Sequence, residues 1–126
     1  PFAGVQRPRR HDDAVISEIQ GWIAENYHRA HPVTAMVEQS GLAERTFMRR
    51  FRAATGSTPM EYVQTMRIEE AKHLLETTET AIDQVAIEVG YEDPNFFRRL
   101  FKRRVGVTPA RYRQRFSKLR LLGARG

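Results

Sequence analysis

The sequence predicts an all-α chain of about seven helices, arranged as two similar halves joined by one long helix. Three observations carry that expectation. Apolar residues recur at three- and four-residue spacing through most of the chain, the period of a helix with one buried face. Gly, Pro and capping residues punctuate those periods where helices would stop and start. The second half also repeats the first in register.

The stretch 1–12, with Pro1, Gly4, Pro8 and three Arg, has no apolar period and reads as a linker or arm. From Asp13 to about residue 58 a first subdomain is expected. Its first helix carries Ile16, Ile19, Ile23 and Tyr27 on one face, with Val15 and Trp22 beside them. Asp12 or Asp13 can cap it, because a carboxylate there accepts otherwise unpaired backbone N–H groups. Trp22 at that spacing is read as core. Pro32 separates this helix from a short one over about Thr34 to Ser40, which offers Met36 and Val37 for burial. Gly41 can take the left-handed conformation that ends a helix. A third helix, from about Glu44 to Ala54, buries Phe47 and Phe51 and ends at Gly56.

Thr58-Pro59-Met60-Glu61 then reads as a helix start. Thr58 caps, Pro59 is harmless at the first helical position, and Glu61 closes a capping box. The linker helix over 59–77 has no internal Gly or Pro and should be straight. A second subdomain is expected over 78–117, closed by Tyr112 and Phe116, with 118–126 as a frayed tail.

The repeat is specific. Met36-Val37 and Gly41-Leu42 recur as Val85-Ala86 and Gly90-Tyr91, offset by 49. One residue is added in the turn, and the offset becomes 50. Phe47, Arg49 and Phe51 then match Phe97, Arg99 and Phe101, and Gly56, Thr58, Pro59 and Tyr62 match Gly106, Thr108, Pro109 and Tyr112. Two copies at this period do not make a solenoid. They make a duplicated unit.

Charge is distributed as unevenly as the apolar residues. The 126 residues carry +6 overall, yet 11–44 hold −5 and 53–92 hold −6. Positive charge concentrates at +3 in 1–10, +4 in 45–52 and +10 in 93–126. Separate basic zones on an acidic body are the footprint of a polyanion binder. With no Cys there is no disulfide scaffold, thiol nucleophile or Cys-ligated metal site. No apolar run approaches the roughly 20 residues of a membrane span.

Each copy reads as a short helix, a Gly-containing turn and a basic helix. That is the helix-turn-helix arrangement, whose second helix enters the major groove of DNA. On the outer faces, Arg45 and Arg49 stand four residues apart, with Arg52 beyond. Asn95 and Arg99 match them, followed by Lys102 and Arg103. Arg can bridge guanine O6 and N7, and Asn adenine N6 and N7. The remaining cations suit phosphates, which position without reading sequence.

At these residues the chain resembles the DNA-binding domain of the AraC/XylS family of bacterial transcription regulators. The carriers are 41–51 (GLAERTFMRRF) with Gly56-Ser57-Thr58-Pro59, then 82–102 and 106–113, within a likeness spanning about Asp13 to Phe116. The resemblance implies two helix-turn-helix halves joined by the long helix, and sequence-specific binding of double-stranded DNA. It places base reading on Arg45, Thr46, Met48 and Arg49 in the first half and on Asn95, Phe96, Arg98 and Arg99 in the second. Met48 and Phe96 cannot form hydrogen-bond pairs with a base, so their contacts would be thymine methyls or sugars. Phe96 reads equally well as an apolar residue packed behind the core of its own half. Arg50, Arg52, Lys102 and Arg103 are expected at phosphates.

Because the reading residues differ between halves, the site should be non-palindromic, with half-sites about one turn apart. The resemblance also implies an effector or dimerisation domain N-terminal to this chain and outside it. RNA polymerase is a candidate further partner, and the bacterial cytoplasm, at the nucleoid, is the expected location. No catalytic residue, cofactor or metal is expected. His28 and His31 stand three apart without a partner cluster, and no Walker loop, nucleophile elbow or His-Glu-x-x-His is present. The rival reading is a basic RNA- or membrane-surface-binding helical module built on residues 111–125.

Overall fold

The computed structural model describes residues 11–125, except for the side chains of 120–122, 124 and 125. The expected arm lies almost wholly outside that range. Seven helices make up the regular structure among the described residues: α1 (Ala14–Asn26), α2 (Pro32–Ser40), α3 (Glu44–Thr55), α4 (Pro59–Thr77), α5 (Ile82–Val89), α6 (Pro94–Val105) and α7 (Pro109–Arg125). They form two compact units that divide between Arg67 and Ile68.

In the first unit, Ile16, Ile19 and Ile23 of α1 meet Met36 of α2, Phe47, Phe51 and Ala54 of α3 and Val63 of α4 in one buried cluster. Trp22, Tyr27 and Val37 pack against it, half-buried. Asp13 is the α1 cap, accepting from the Ile16 N–H at 3.2 Å. Pro32 does not separate two helices; it is the first residue of α2, where its missing N–H has no helical partner to lose. His31 before it holds a left-handed φ of 51°.

Arg67 is the buried charged residue of this unit, 4% exposed. Its Nε donates to the Tyr27 carbonyl at 2.7 Å and a terminal nitrogen donates to the Arg29 carbonyl at 3.0 Å. A helix end leaves carbonyls without intrahelical donors, and this guanidinium supplies them beyond α1. At the start of α4 the capping box is complete. The Thr58 N–H donates to Glu61 at 3.0 Å, and the Glu61 N–H donates to Thr58 Oγ1 at 3.1 Å.

In the second unit, Ile68, Ala71 and Leu75 of α4 join Val85, Ala86 and Val89 of α5, Tyr91, and Phe97, Leu100 and Phe101 of α6. The Phe97–Phe101 pair has a ring separation of 5.7 Å, the same as Phe47–Phe51. Each pair meets a Tyr edge-on, Phe51 with Tyr62 and Phe101 with Tyr112. The Tyr112 hydroxyl donates to Glu76. Burial and the Glu76 carboxylate both oppose its ionisation, so its pKa is raised.

The linker helix has the expected bounds, Pro59–Thr77, with its residues 59–67 serving the first core and 68–77 the second. The expected end of the second subdomain is corrected. Helix α7 does not end near Phe116 but runs to Arg125. Residues 118–122 are Lys, Leu, Arg, Leu and Leu, all good helix formers, so nothing local stops it before Gly123.

Candidate nucleic-acid interface

In both units a left-handed glycine sets the turn between the paired helices. Gly41 has φ 70° and Gly90 φ 118°, conformations an L side chain adopts only with strain. The Gly41 N–H donates to Glu38 O and the Gly90 N–H to Ile87 O, closing the first helix in each case. The second helix is then held by its apolar side: Phe47, Phe51 and Ala54 in α3, and Phe97, Leu100 and Phe101 in α6. The opposite side of each helix faces solvent.

On α3 that outer side presents Arg45, Arg49 and Arg52, all exposed. On α6 it presents Asn95, Phe96, Arg98, Arg99, Lys102 and Arg103, also exposed. Asp93 caps α6 by accepting from the Asn95 N–H at 2.9 Å, which fixes where the helix begins and hence the register of its outer face. Lys102, Arg103 and Arg104 close the last turn of α6, where cations also favour the helix macrodipole.

The other expected site residues sit less openly. Thr46 is half-buried, and Met48 is half-buried against the first core. Phe96 is 39% exposed, with its ring 5.7 Å from Tyr91, so part of it packs within its own unit. Arg50 is not presented with Arg49. It turns to the start of α1, where Nε donates to Asp13 Oδ2 at 3.0 Å and a terminal nitrogen to Oδ1 at 2.8 Å. This fork-to-fork geometry lowers the Asp13 pKa from its ordinary 3.8 and raises that of Arg50. The guanidinium expected at a phosphate therefore has an intramolecular partner.

Arg98 also has partners, the Asp83 carboxylate and, at 3.4 Å, Asn95 Oδ1. Neither ion pair is legible in periodicity. Asp13 precedes Arg50 by 37 residues and Asp83 precedes Arg98 by 15, and only the folded helix pairs bring them together. Among the described residues no three His, Asp or Glu side chains converge as a metal site would require. No described helix is long and apolar enough to cross a membrane.

Residues 36–115 match the family described as the helix-turn-helix domain. The HTH-type transcriptional activator RhaR of Klebsiella pneumoniae subsp. pneumoniae is 34% identical over 103 residues, covering 82% of this chain and 37% of that protein. The MmsAB operon regulatory protein of Pseudomonas aeruginosa is 30% identical over 109 residues, covering 86% of the chain and 36% of that protein. The chain thus spans little more than a third of the length of these curated relatives. Among solved structures, the DNA-binding domain of AdpA, a global transcriptional factor crystallised with a target DNA, superposes with a TM-score of 0.81. It is 34% identical, and the match covers 86% of this chain and 97% of that one. The C-terminal domain of the two-component response regulator yesN from Fusobacterium nucleatum gives a TM-score of 0.77 at 31% identity, covering 80% and 99%.

Proposed function

The chain belongs to the AraC-type helix-turn-helix family, and from that premise we propose that it is the sequence-specific DNA-binding part of a longer bacterial transcription regulator. The observation that carries this is the duplicated presentation. Twice, a glycine turn sets a helix whose Phe pair is buried and whose opposite side offers a row of long hydrogen-bond donors.

Base reading falls to Arg45 and Arg49 in the first half and to Asn95 and Arg99 in the second, with Arg98 held beside Asn95 by Asp83. Thr46 adds a hydroxyl that can hydrogen-bond a base edge, whereas Met48 and Phe96 contribute at most methyl and sugar contacts. Arg52, Lys102 and Arg103 neutralise phosphates. Arg50 joins them only by leaving Asp13. The two readers differ in chemistry, so the site is non-palindromic, and its partner is duplex DNA.

The two half-sites stand about one turn apart, the spacing of successive major grooves on one face of the duplex. A domain that senses an effector or dimerises precedes this part in the full protein, a reading supported by the greater length of the relatives. Contact with RNA polymerase and action at the bacterial nucleoid follow from the same role. The spacing is tested by inserting about 5 bp between the half-sites, which turns the second groove to the far face of the duplex. Specific affinity should drop to that of one half-site. Unchanged affinity would leave only one helix reading DNA.

A further inference from the structure

Asp83 lies in the first turn of α5, not on the reading helix, yet its carboxylate holds Arg98 of α6. The same guanidinium donates from its other terminal nitrogen to Asn95 Oδ1. Arg has only donors, so the Asn95 atom facing it must be the oxygen, and the amide nitrogen is turned the other way. One acidic residue on the first helix thereby sets both the position of an Arg and the flip of an Asn on the second.

The duplication supplies an internal control. Through the two offsets, Asp83 corresponds to Thr34, Arg98 to Met48 and Asn95 to Arg45. The first unit therefore builds the same helix pair with no such ion pair; Met48 packs against its core instead. The fold does not require the Asp83–Arg98 contact. Both side chains are exposed, where an ion pair adds little to stability. What distinguishes the second unit is an Asn in the place where the first has an Arg.

Resting on the DNA-reading proposal above, we infer that Asp83 is a specificity-determining positioning residue. It holds Arg98 away from indiscriminate phosphate contacts and, through Arg98, fixes the Asn95 amide for adenine. An Asn reads adenine only with its oxygen toward N6 and its nitrogen toward N7, so a fixed flip is a fixed preference. A freed Arg98 would instead be one more cation for any duplex.

The test compares the 126-residue chain with its Asp83→Asn variant on a selected duplex and on a scrambled duplex of equal length, from 50 to 200 mM salt. In Asp83→Asn the scrambled duplex should bind more tightly, and the slope of log affinity against log salt should steepen by about one. Preference for adenine over guanine at the base facing Asn95 should fall about fivefold or more. Asp83→Glu, which keeps the charge, should retain most of the parental behaviour. The double variant Asp83→Thr with Arg98→Met installs the first unit's residues. It should keep the helical circular dichroism and lose the adenine preference without gaining scrambled-duplex affinity, since it frees no cation. A selective parent with unchanged slope and preference in Asp83→Asn would overturn the positioning role alone. A parent that binds both duplexes equally would overturn the DNA-reading proposal and this role with it.

Discussion

Asp13 and Arg50 show how a charge that looks available in the sequence is engaged in the fold. The run Arg49-Arg50 reads as two equivalent cations, but a helix turns by about 100° per residue. Arg49 therefore faces solvent while Arg50 reaches the cap of α1. Because Asp13 has its pKa lowered by that contact, the folded state keeps the carboxylate where the unfolded chain would take up a proton. Its stabilisation is complete above the unfolded value and is lost as pH falls through the lower folded value. Asp13→Asn should thus melt below the parent by a constant margin above about pH 5, with the margin shrinking below about pH 4. A melting series in pH checks this; a margin that does not shrink in acid would assign the loss to something other than this carboxylate. For the solvent-facing partner, Arg49→Ala should weaken binding to the specific site by ~1–3 kcal/mol and relax preference at one or two positions of one half-site. Lys102→Ala should weaken all duplexes alike and reduce the salt slope by roughly one. Titrations on specific and scrambled duplexes separate the two roles.

At the scale of elements, what the sequence states locally is what it states reliably. The Thr58–Glu61 capping box, the glycine turns and the Phe47–Phe51 and Phe97–Phe101 pairs all rest on spacings of three or four residues, and each forms as read. Contacts between distant elements were not legible. Arg67 sits in the middle of α4 as an ordinary helical cation, and only the packing of α4 near the end of α1 turns it into a buried donor to Tyr27 and Arg29. The same holds for α4 itself. Its length and missing breakers indicate one continuous helix, but Val63 and Ile68 are buried in different cores, which no period along the helix distinguishes. The extension of α7 to Arg125 rests on helix propensity alone, a weaker signal than a breaker or a cap. Each Phe pair should dominate its unit. Phe51→Ala and Phe101→Ala should each cost ~3–5 kcal/mol, comparable to the whole stability expected of some 60 residues. Denaturant unfolding measures that cost, and a loss below about 1 kcal/mol would mean the aromatic is not the centre of its core.

For the whole molecule, the proposed reading of an asymmetric sequence rests on a duplicated unit whose two copies differ on their outer faces. The scaffold residues are retained in both copies, including the turn glycines, the Phe pairs, the Thr-Pro helix start and the following Tyr. The proposed reading residues have separated into Arg45, Thr46 and Arg49 on one side and Asn95 and Arg99 on the other. Arg49 and Arg99 are equivalent, but Asn95 stands where the first half has Arg45. An amide favours adenine where a guanidinium favours guanine, so the proposed readers ask for different bases there. Selection of bound sites from a random duplex pool tests this most directly. Two unlike readers in one chain predict an enriched non-palindromic motif with two blocks of different sequence, centred about 10 bp apart. Enrichment of a palindrome, of a single block, or of no motif at all would contradict them.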